Sequence, residues 1–570
     1  MPPTSPPERL TARLSVEALL LWACLFWTAA ANWQFVSAAL TGRVASEASS
    51  WGFAIALVTI VLALHFVLIS PWAWRPTVKP LLAVLSLVVA FASFYMQTFG
   101  VYLDPSMLRN VLQTDVAESR ELLSLALLWH LLLYAGLPLL LLWRVRVTER
   151  RWLPTLAFKL GSWALALALL VGAVLAVFQP LASLMRNQKE LRYLVTPGNA
   201  LWSLGVVVSE QVKGAAQPRQ AIGLDAQAGE RMLARTKTQT QTQTNTQTQT
   251  RPLLVVMVVG ETARAANWGL SGYARQTTPE LAQLPVINFA QVTSCGTNTE
   301  VSLPCMFAPV GRRDYDEDRI RGSESLLHLL NRAGVAVHWL DNQSGCKGVC
   351  DGLSNTTVLA LNPPGLCKDG RCLDEGLLVG LEQKLVEASA ASSTRSATAG
   401  TQLLVLHQLG NHGPAYFRRY PPAFEKFTPT CQFDDLQRCS QAEIVNAYDN
   451  ALLYTDHVLA RLVKRLQAAA GEVDSVLLYV SDHGESLGEN NLYLHGLPYR
   501  IAPELQERVP MVMWLSAGAA ANTGVDAACL QQRATKPATH DHLFHTLLSL
   551  LDVRTRLREP AWDLTEGCRR

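Results

Sequence analysis

The sequence predicts a protein in two parts, an α-helical membrane domain of five transmembrane helices followed by a soluble α/β domain. Three observations predict it. Apolar residues fill 49% of the 570 positions and charged residues only 17%, and the excess is concentrated before residue 180. Five stretches there, Val16 to Ala38, Trp51 to Ile69, Leu81 to Phe99, Leu122 to Trp143 and Leu160 to Phe178, each approach the ~20 residues that cross a hydrocarbon core about 30 Å thick. Further on, short Val- and Leu-rich runs alternate with helical patterns, as expected of a largely buried sheet packed between helices.

A cleavable signal peptide would explain the first stretch alone, but its apolar run is long and four more follow, so it reads as an anchor with Cys24 in lipid. Orientation comes from the short loops. Arg9 and Arg13 precede the first stretch, Arg75 and Lys79 follow the second, and Arg144, Arg146, Arg150 and Arg151 follow the fourth. The first loop on the other side holds only Arg43 beside Glu47. Positive loops stay inside, which places the N-terminus inside and, after an odd number of spans, everything beyond Phe178 outside the cytoplasm. Between the third and fourth stretches, "NVLQTDVAE" sets Asn110, Thr114 and Glu118 four residues apart, on one face if the segment is helical. Spacing alone makes that stripe solvent-exposed surface as readily as a binding wall. His65 and His130, single histidines in apolar spans, are expected to be satisfied within the bundle.

The domain boundaries follow: 1–180 for the transmembrane domain, 181–250 for an interfacial segment and linker, 251–570 for the soluble domain. Leu191 to Val212 mixes apolar and polar residues and suits a membrane surface. Lys237 to Thr250, "KTQTQTQTNTQTQT", has no apolar face to bury and is expected to be a flexible linker. Of eleven cysteines, only Cys24 precedes the last span. The other ten group as Cys295/Cys305, Cys346/Cys350, Cys367/Cys372, Cys431/Cys439 and Cys529/Cys568, an even count that reads as disulfides in an oxidising compartment. Sequence does not fix connectivity; pairing between neighbours is the expected arrangement. No second pair at finger-like spacing supports zinc-finger sites, and a net charge of +3 is too small to argue for nucleic acid.

Three apolar runs of the soluble domain end in chemistry. "PLLVVMVVGE" ends at Glu261, "TQLLVLHQLGNHG" leads to His412, and "VDSVLLYVSDHGE" delivers Asp482 and His483. Ligands of open α/β sheets bind outside the carboxyl ends of the strands, so these residues are expected to meet at one site. Glu261, Asp482 and His483 are of the types that bind zinc, and a catalytic zinc has three protein ligands and an open fourth position. Each alone reads as a helix cap or loop hydrogen bond; together, with Gly260 and Gly484 permitting close backbone approach, they read as a metal site. In "SCGTNTEVSLPC", "TEVSLPC" looks like a helix start, whose N–H groups favour a phosphate. A hydroxyl there is a candidate metal-activated nucleophile. Residue types leave Thr297, Thr299 and Ser302 all open, as well as a plain capping threonine.

The motifs "VVGETARAANWGLSGYARQTTP", "SCGTNTEVSLPCMF", "DNQSGCKGVCD", "NHGPAYFRRYP", "YDNALLYTDHVL" and "SDHGESLGENNLYLHGLPY", in this order across most of residues 250 to 500, resemble those of the membrane-anchored phosphoethanolamine transferases that modify lipid A and confer polymyxin resistance. These belong to the alkaline phosphatase superfamily, so the resemblance implies an alkaline-phosphatase-like soluble domain in the periplasm, anchored in the bacterial inner membrane by several spans. It implies Thr299 as nucleophile, Glu261, Thr299, Asp482 and His483 as zinc ligands, and His412 and His495 as substrate-contacting histidines. It places Lys347 and Ser344 at the donor head group, and turns the Asn110, Thr114 and Glu118 stripe into a wall of the donor cavity. The implied reaction is a ping-pong transfer from phosphatidylethanolamine, through a threonine adduct, to a lipid A phosphate, carried out by a monomer. Transfer of phosphoethanolamine or phosphoglycerol to lipopolysaccharide core sugars or periplasmic glucans is the nearest alternative. A sulfatase is disfavoured, because the nucleophile-forming Cys/Ser-x-Pro-x-Arg motif is missing from the soluble domain. A non-catalytic membrane sensor or scaffold would not require an intact ligand set and nucleophile.

Overall fold

The computed structural model describes residues 13–569 apart from 45, 115, 149–150, 217, 241–250 and 395–399. Arg9 and Arg150 of the topology argument, the tract 241–250 and the Glu118 side chain lie outside the described residues. The chain forms two compact units, Met1–Leu108 with Leu123–Ser209, and Arg109–Leu122 with Glu210–Arg570.

Among the described residues of the first unit, four helices are long and apolar enough to cross a membrane: Ala48–Trp72, Val78–Phe99, Leu125–Arg144 and Trp152–Ala176. The expected fifth span is met only if the pair Val16–Ala31 and Trp33–Leu40, bent by 53°, counts as one crossing. The break has a local cause. Buried Asn32 donates to the Trp27 carbonyl at 2.9 Å and the Thr196 carbonyl at 2.7 Å, and accepts from the Thr196 N–H at 2.9 Å. A side chain that takes over a helix carbonyl in this way interrupts the ladder. The last span starts at Trp152 rather than Leu160 because Lys159 is accommodated in it: its ammonium donates to the Ala73 carbonyl and lies 4.1 Å from the centre of the Trp74 ring. Large apolar side chains such as Ile55, Leu128 and Leu165 point outward, the arrangement a lipid solvent demands. His130 lies 2.9 Å from Ser93 Oγ, and His65 Nε2 accepts from the Gly198 N–H.

The second unit is built on an eight-stranded sheet. Its strands are β1 (Leu253–Gly260), β2 (Ile287–Thr293), β3 (Ala336–Asp341), β4 (Asn355–Thr357), β5 (Thr401–His407), β6 (Asp474–Ser481), β7 (Arg508–Leu515) and β8 (Ala538–Thr539), in the spatial order β8-β2-β7-β6-β1-β5-β3-β4. The strands β6-β1-β5-β3-β4 are parallel, and β7 runs antiparallel to both its neighbours. β1 is buried along its whole length. Leu253, Val255, Met257 and Val259 enter one apolar core, and Leu254, Val256 and Val258 enter the other. A central parallel strand covered on both faces must read as an unbroken apolar run, as "LLVVMVV" does.

Helices cover both faces. The helix Gln441–Ala468 starts at a capping box between Ser440 and Glu443 and contributes Tyr448, Leu452, Leu459 and Leu462 to one core. The helix Asp541–Leu550 contributes Leu543, Phe544 and Leu547 to the other. Residues before 251 also join this unit. Met232, on the helix Glu230–Thr240, lies in the core, Arg235 is 3% exposed, and Gln227–Ala228 pairs with Val553–Arg554. Lys237 to Thr240 therefore end a helix anchored by its first turns, where composition alone reads the start of a linker. The ten cysteines after the membrane domain pair with their sequence neighbours in all five cases, and Cys24 is buried and free.

Candidate active site

Because β6, β1 and β5 are adjacent and parallel, their carboxyl ends open at one place. Glu261 follows β1 directly, Asp482 and His483 follow β6, and His412 comes shortly after β5. The turn after β1 is held in an unusual backbone conformation. Thr262 has φ +60°, a region that costs a β-branched residue about 1–3 kcal/mol and persists only when neighbours over-determine it. They do so here: its hydroxyl donates to Glu261 Oε1 at 2.8 Å, its carbonyl accepts from Tyr448 Oη at 2.7 Å, and its N–H meets Asp482 Oδ1 at 3.3 Å. Glycine is required close by, since a Cβ on Gly484 would lie 2.1 Å from the Leu505 carbonyl oxygen.

The three hydroxyls left open by the sequence have different fates. Thr297 donates to the Leu497 carbonyl at 2.5 Å, and Ser302 donates to the Asp482 carbonyl while accepting from the Gly296 N–H at 3.1 Å. Both serve the backbone. The helix Thr299–Met306 is capped by Asn298, whose side chain accepts from the Val301 N–H at 3.0 Å. Thr299 is thus the first helical residue and is relieved of the capping role. Its Oγ1 lies 2.9 Å from Glu261 Oε2 and 3.4 Å from His483 Nε2.

Ligand atoms of Glu261, Thr299 and His483 converge at this point, and Asp482 lies beside His483. His483 Nε2 lies 3.3 Å from Glu261 Oε1 and 3.5 Å from Asp482 Oδ2. Ligands about 2.0–2.1 Å from a tetrahedral ion stand about 3.3 Å from one another, and these two separations from His483 are of that size. His483 Nδ1 lies 2.9 Å from the Gly484 carbonyl. With Nδ1 turned to that carbonyl, Nε2 is the ring nitrogen that faces the cluster. Asp482 Oδ2 is buried and has no hydrogen-bond partner among the described residues, which is costly unless a cation meets it. The electrostatics agree. Burial and the Glu261 charge push the Asp482 carboxyl up, while Glu261 is held well below the usual carboxylate range because the hydrogen bond and charge of His483 outweigh its own burial. Burial lowers the His483 pKa, but the two carboxylates raise it to about 10 overall. The pocket favours positive charge, and its mixture of carboxylates, imidazole and hydroxyl suits a metal ion. Among the described residues, the group of side chains whose potential metal-ligand atoms all lie within 4.8 Å of one another is Glu261, His483 and His495, and Asp482 is not part of it. The His495 ring centre is 4.3 Å from that of His483 and 5.7 Å from that of His412.

The other expected residues are placed less centrally. Ser344 and Lys347 sit on the turn after β3, where Lys347 Nζ donates to Ser344 Oγ at 3.0 Å. Ser344 and His412 line a cavity of about 130 Å³ together with Gln343 and Arg371. The segment carrying Asn110, Thr114 and Glu118 is not one helix: Pro105–Gln113 ends before Thr114, and Val116–Glu121 begins after it. The three residues therefore do not share a continuous helical face. The break has a partner group at hand, since the Thr114 hydroxyl donates back to the Asn110 carbonyl at 2.8 Å.

Several contacts escape a reading by residue type. Gln343 Nε2 donates to Glu261 Oε2 at 3.3 Å, and His407 Nδ1 lies 2.8 Å from Asp341 Oδ1. The other Asp341 oxygen accepts from the Gln343 and Gly345 N–H groups. Buried Glu485 lies 3.4 Å from His495 Nδ1. Asp341 and His407 close the apolar runs "VAVHWLD" and "LLVLH", the same signal that marks Glu261, and could have been found by it.

Residues 254–553 match the Sulfatase family, and residues 61–212 match the family described as Phosphoethanolamine transferase EptA/EptB. Phosphoethanolamine transferase EptA of Escherichia coli strain K12 is 39% identical over 522 residues, covering 91% of this chain and 89% of that protein. The chain belongs to the phosphoethanolamine transferase family. Phosphatidylethanolamine transferase Mcr-1 of Escherichia coli is 37% identical over 556 residues, covering 95% and 96%. The integral membrane lipooligosaccharide phosphoethanolamine transferase A of Neisseria meningitidis has a solved structure with a TM-score of 0.87 at 35% identity, covering 98% of this chain and 100% of that one. As a phosphoethanolamine transferase, the chain is an enzyme with several membrane spans and a periplasmic catalytic domain, and it acts on lipid substrates.

The Cys295–Cys305 pair brackets the Thr299 turn of this transferase with a sequence separation of 10. Loop closure of that length is worth about 3 kcal/mol. Replacing both cysteines by serine is expected to lower the urea midpoint accordingly and to reduce kcat more than it raises KM. An unchanged kcat would show that the bridge serves stability alone.

Proposed function

We propose that this chain transfers phosphoethanolamine from phosphatidylethanolamine to a phosphate of lipid A at the bacterial inner membrane, as a monomer, through a covalent adduct on Thr299. The observation that carries this reading is the isolation of one hydroxyl. Thr299 Oγ1 alone among the three candidates faces Glu261 and His483, while Thr297 and Ser302 are engaged by backbone carbonyls.

Glu261, Asp482 and His483, with Thr299 as fourth ligand, would hold a zinc ion, which supplies Lewis acidity that lowers the pKa of the threonine hydroxyl. Thr299 Oγ1 forms a bond to the donor phosphorus as the bond to the diacylglycerol oxygen breaks. One of His412 and His495 gives that departing oxygen its proton. A phosphate oxygen of lipid A then attacks the phosphothreonine ester, which restores the hydroxyl and releases modified lipid A. Such displacements depend on positioning and charge stabilisation. Lys347, Ser344, Asn110, Thr114 and Glu118 are proposed to hold the donor, the first two at its head group. The Val16–Leu40 pair is proposed as the fifth span, with residues 1–180 as anchor apart from 109–122, and 251–570 as the catalytic domain, to which the later part of the 181–250 connection adds Met232 and the strand Gln227–Ala228.

Mass spectrometry of lipid A from cells with and without the protein tests the acceptor. Phosphoethanolamine on a lipid A phosphate is expected only when the protein is present. Addition confined to core sugars or glucans would replace lipid A as the acceptor.

A further inference from the structure

Residues 109–122 follow one membrane helix, Val78–Phe99, and precede another, Leu125–Arg144, yet they fold with the soluble unit. Charge fixes them there at both ends. At the first end Arg109, 6% exposed, reaches Glu300 at 3.7 Å and Glu210 at 2.7 Å. Glu300 is fully buried and directly follows Thr299, and Arg321 grips it twice, at the carboxylate (3.0 Å) and at the backbone carbonyl (2.7 Å). At the second end Glu121, 3% exposed, accepts from both terminal nitrogens of Arg419, one of them at 3.2 Å. Arg419 Nε in turn donates to the His412 carbonyl at 2.6 Å. Burial pushes the Glu121 carboxyl up, but Arg419 and Arg371 outweigh it and keep it ionised. Pairs this deeply buried hold firmly only while both members are present, because removal of one strands the other's charge.

The two anchors thus end on the residue after Thr299 and on the backbone of His412, with Asn110 and Thr114 between them. We infer that residues 109–122 form a strap whose register sets where Asn110 and Thr114 stand relative to Thr299, and that Arg109 and Glu121 are positioning residues for the donor half of the reaction. This rests on the donor-binding role proposed above for Asn110 and Thr114. Slackening either anchor shifts the lipid phosphorus relative to the nucleophile, and a misplacement of about 1 Å is enough to cost about 100-fold in rate.

The test uses the full chain in phosphatidylethanolamine vesicles, with Glu121→Gln, Arg109→Met and the conservative Arg109→Lys. Two single-turnover rates are read: diacylglycerol release from the lipid, and p-nitrophenolate release from p-nitrophenyl phosphoethanolamine, a soluble ester that needs no lipid contacts. Glu121→Gln and Arg109→Met are expected to slow the lipid reaction by about 10- to 100-fold while the soluble ester stays within about two-fold, and Arg109→Lys is expected to recover most of the loss. Equal losses on both substrates would make the anchors merely structural, and an undiminished lipid rate would leave the strap without a role; either overturns the inference. A wild-type chain that releases no diacylglycerol overturns the donor reading beneath it, an outcome distinct from both.

Discussion

Replacement of Thr299 by alanine is expected to abolish head-group transfer, with a loss of roughly 10⁴-fold or more, the scale on which removal of a covalent nucleophile acts, and to leave the domain folded. The structural cost is small because Asn298, not Thr299, caps the helix. The deletion forfeits one hydrogen bond to Glu261, worth about 1 kcal/mol. Thr297→Ala is the informative companion. That hydroxyl donates to the Leu497 carbonyl, so its loss is expected to lower stability by a similar amount and to leave transfer within about an order of magnitude. Lipid A mass spectrometry and thermal melts of the two variants separate the roles. Activity retained by Thr299→Ala would remove the nucleophile from the account.

The second large effect concerns the ligand set. Dialysis against a chelator is expected to abolish transfer and to lower the melting temperature, and zinc is expected to restore both. A ligand at about 100 times its Kd stabilises the folded state by about 2.7 kcal/mol, so the zinc-dependent shift is measurable. Asp482→Asn keeps the shape of the side chain and removes its charge. The buried Oδ2, which meets no hydrogen-bond donor among the described residues, is the atom affected. The variant is expected to lose stoichiometric zinc, the zinc-dependent melting shift and transfer together. Full zinc occupancy in Asp482→Asn, measured by elemental analysis, would exclude Asp482 as a ligand and favour the group that His495 forms with Glu261 and His483.

Much of this was legible in the chain because strand ends announce themselves. β1, β5 and β6 are apolar runs that stop at an acid or a histidine, and a sheet with its ligand edge at the carboxyl ends brings such residues together. Glu261, Asp482 and His483 are therefore expected at one edge from the strand ends alone, and the fold sets their strands β1 and β6 side by side. The choice among Thr297, Thr299 and Ser302 could not, because it depends on which hydroxyls the Leu497 and Asp482 carbonyls occupy, and those carbonyls are far away in sequence. The helical face through Asn110, Thr114 and Glu118 failed at a break that residue spacing does not encode. Hydropathy overlooked two polar residues that the bundle accommodates: Asn32 bends the first membrane helix by bonding to Trp27 and Thr196, and Lys159 extends the last one by bonding to Ala73. Composition likewise missed the attachment of Glu230–Thr240 to the soluble unit, which a single buried methionine, Met232, and the Arg231 pair with Asp552 help secure.

Peptide mass spectrometry of the chain after incubation with phosphatidylethanolamine and no acceptor tests the central claim most directly. The account predicts a phosphoethanolamine group on the peptide that contains Thr299, located to that residue by fragmentation and absent once the metal is stripped. An adduct on Ser302 or Thr297, or diacylglycerol released with no adduct at all, would contradict it.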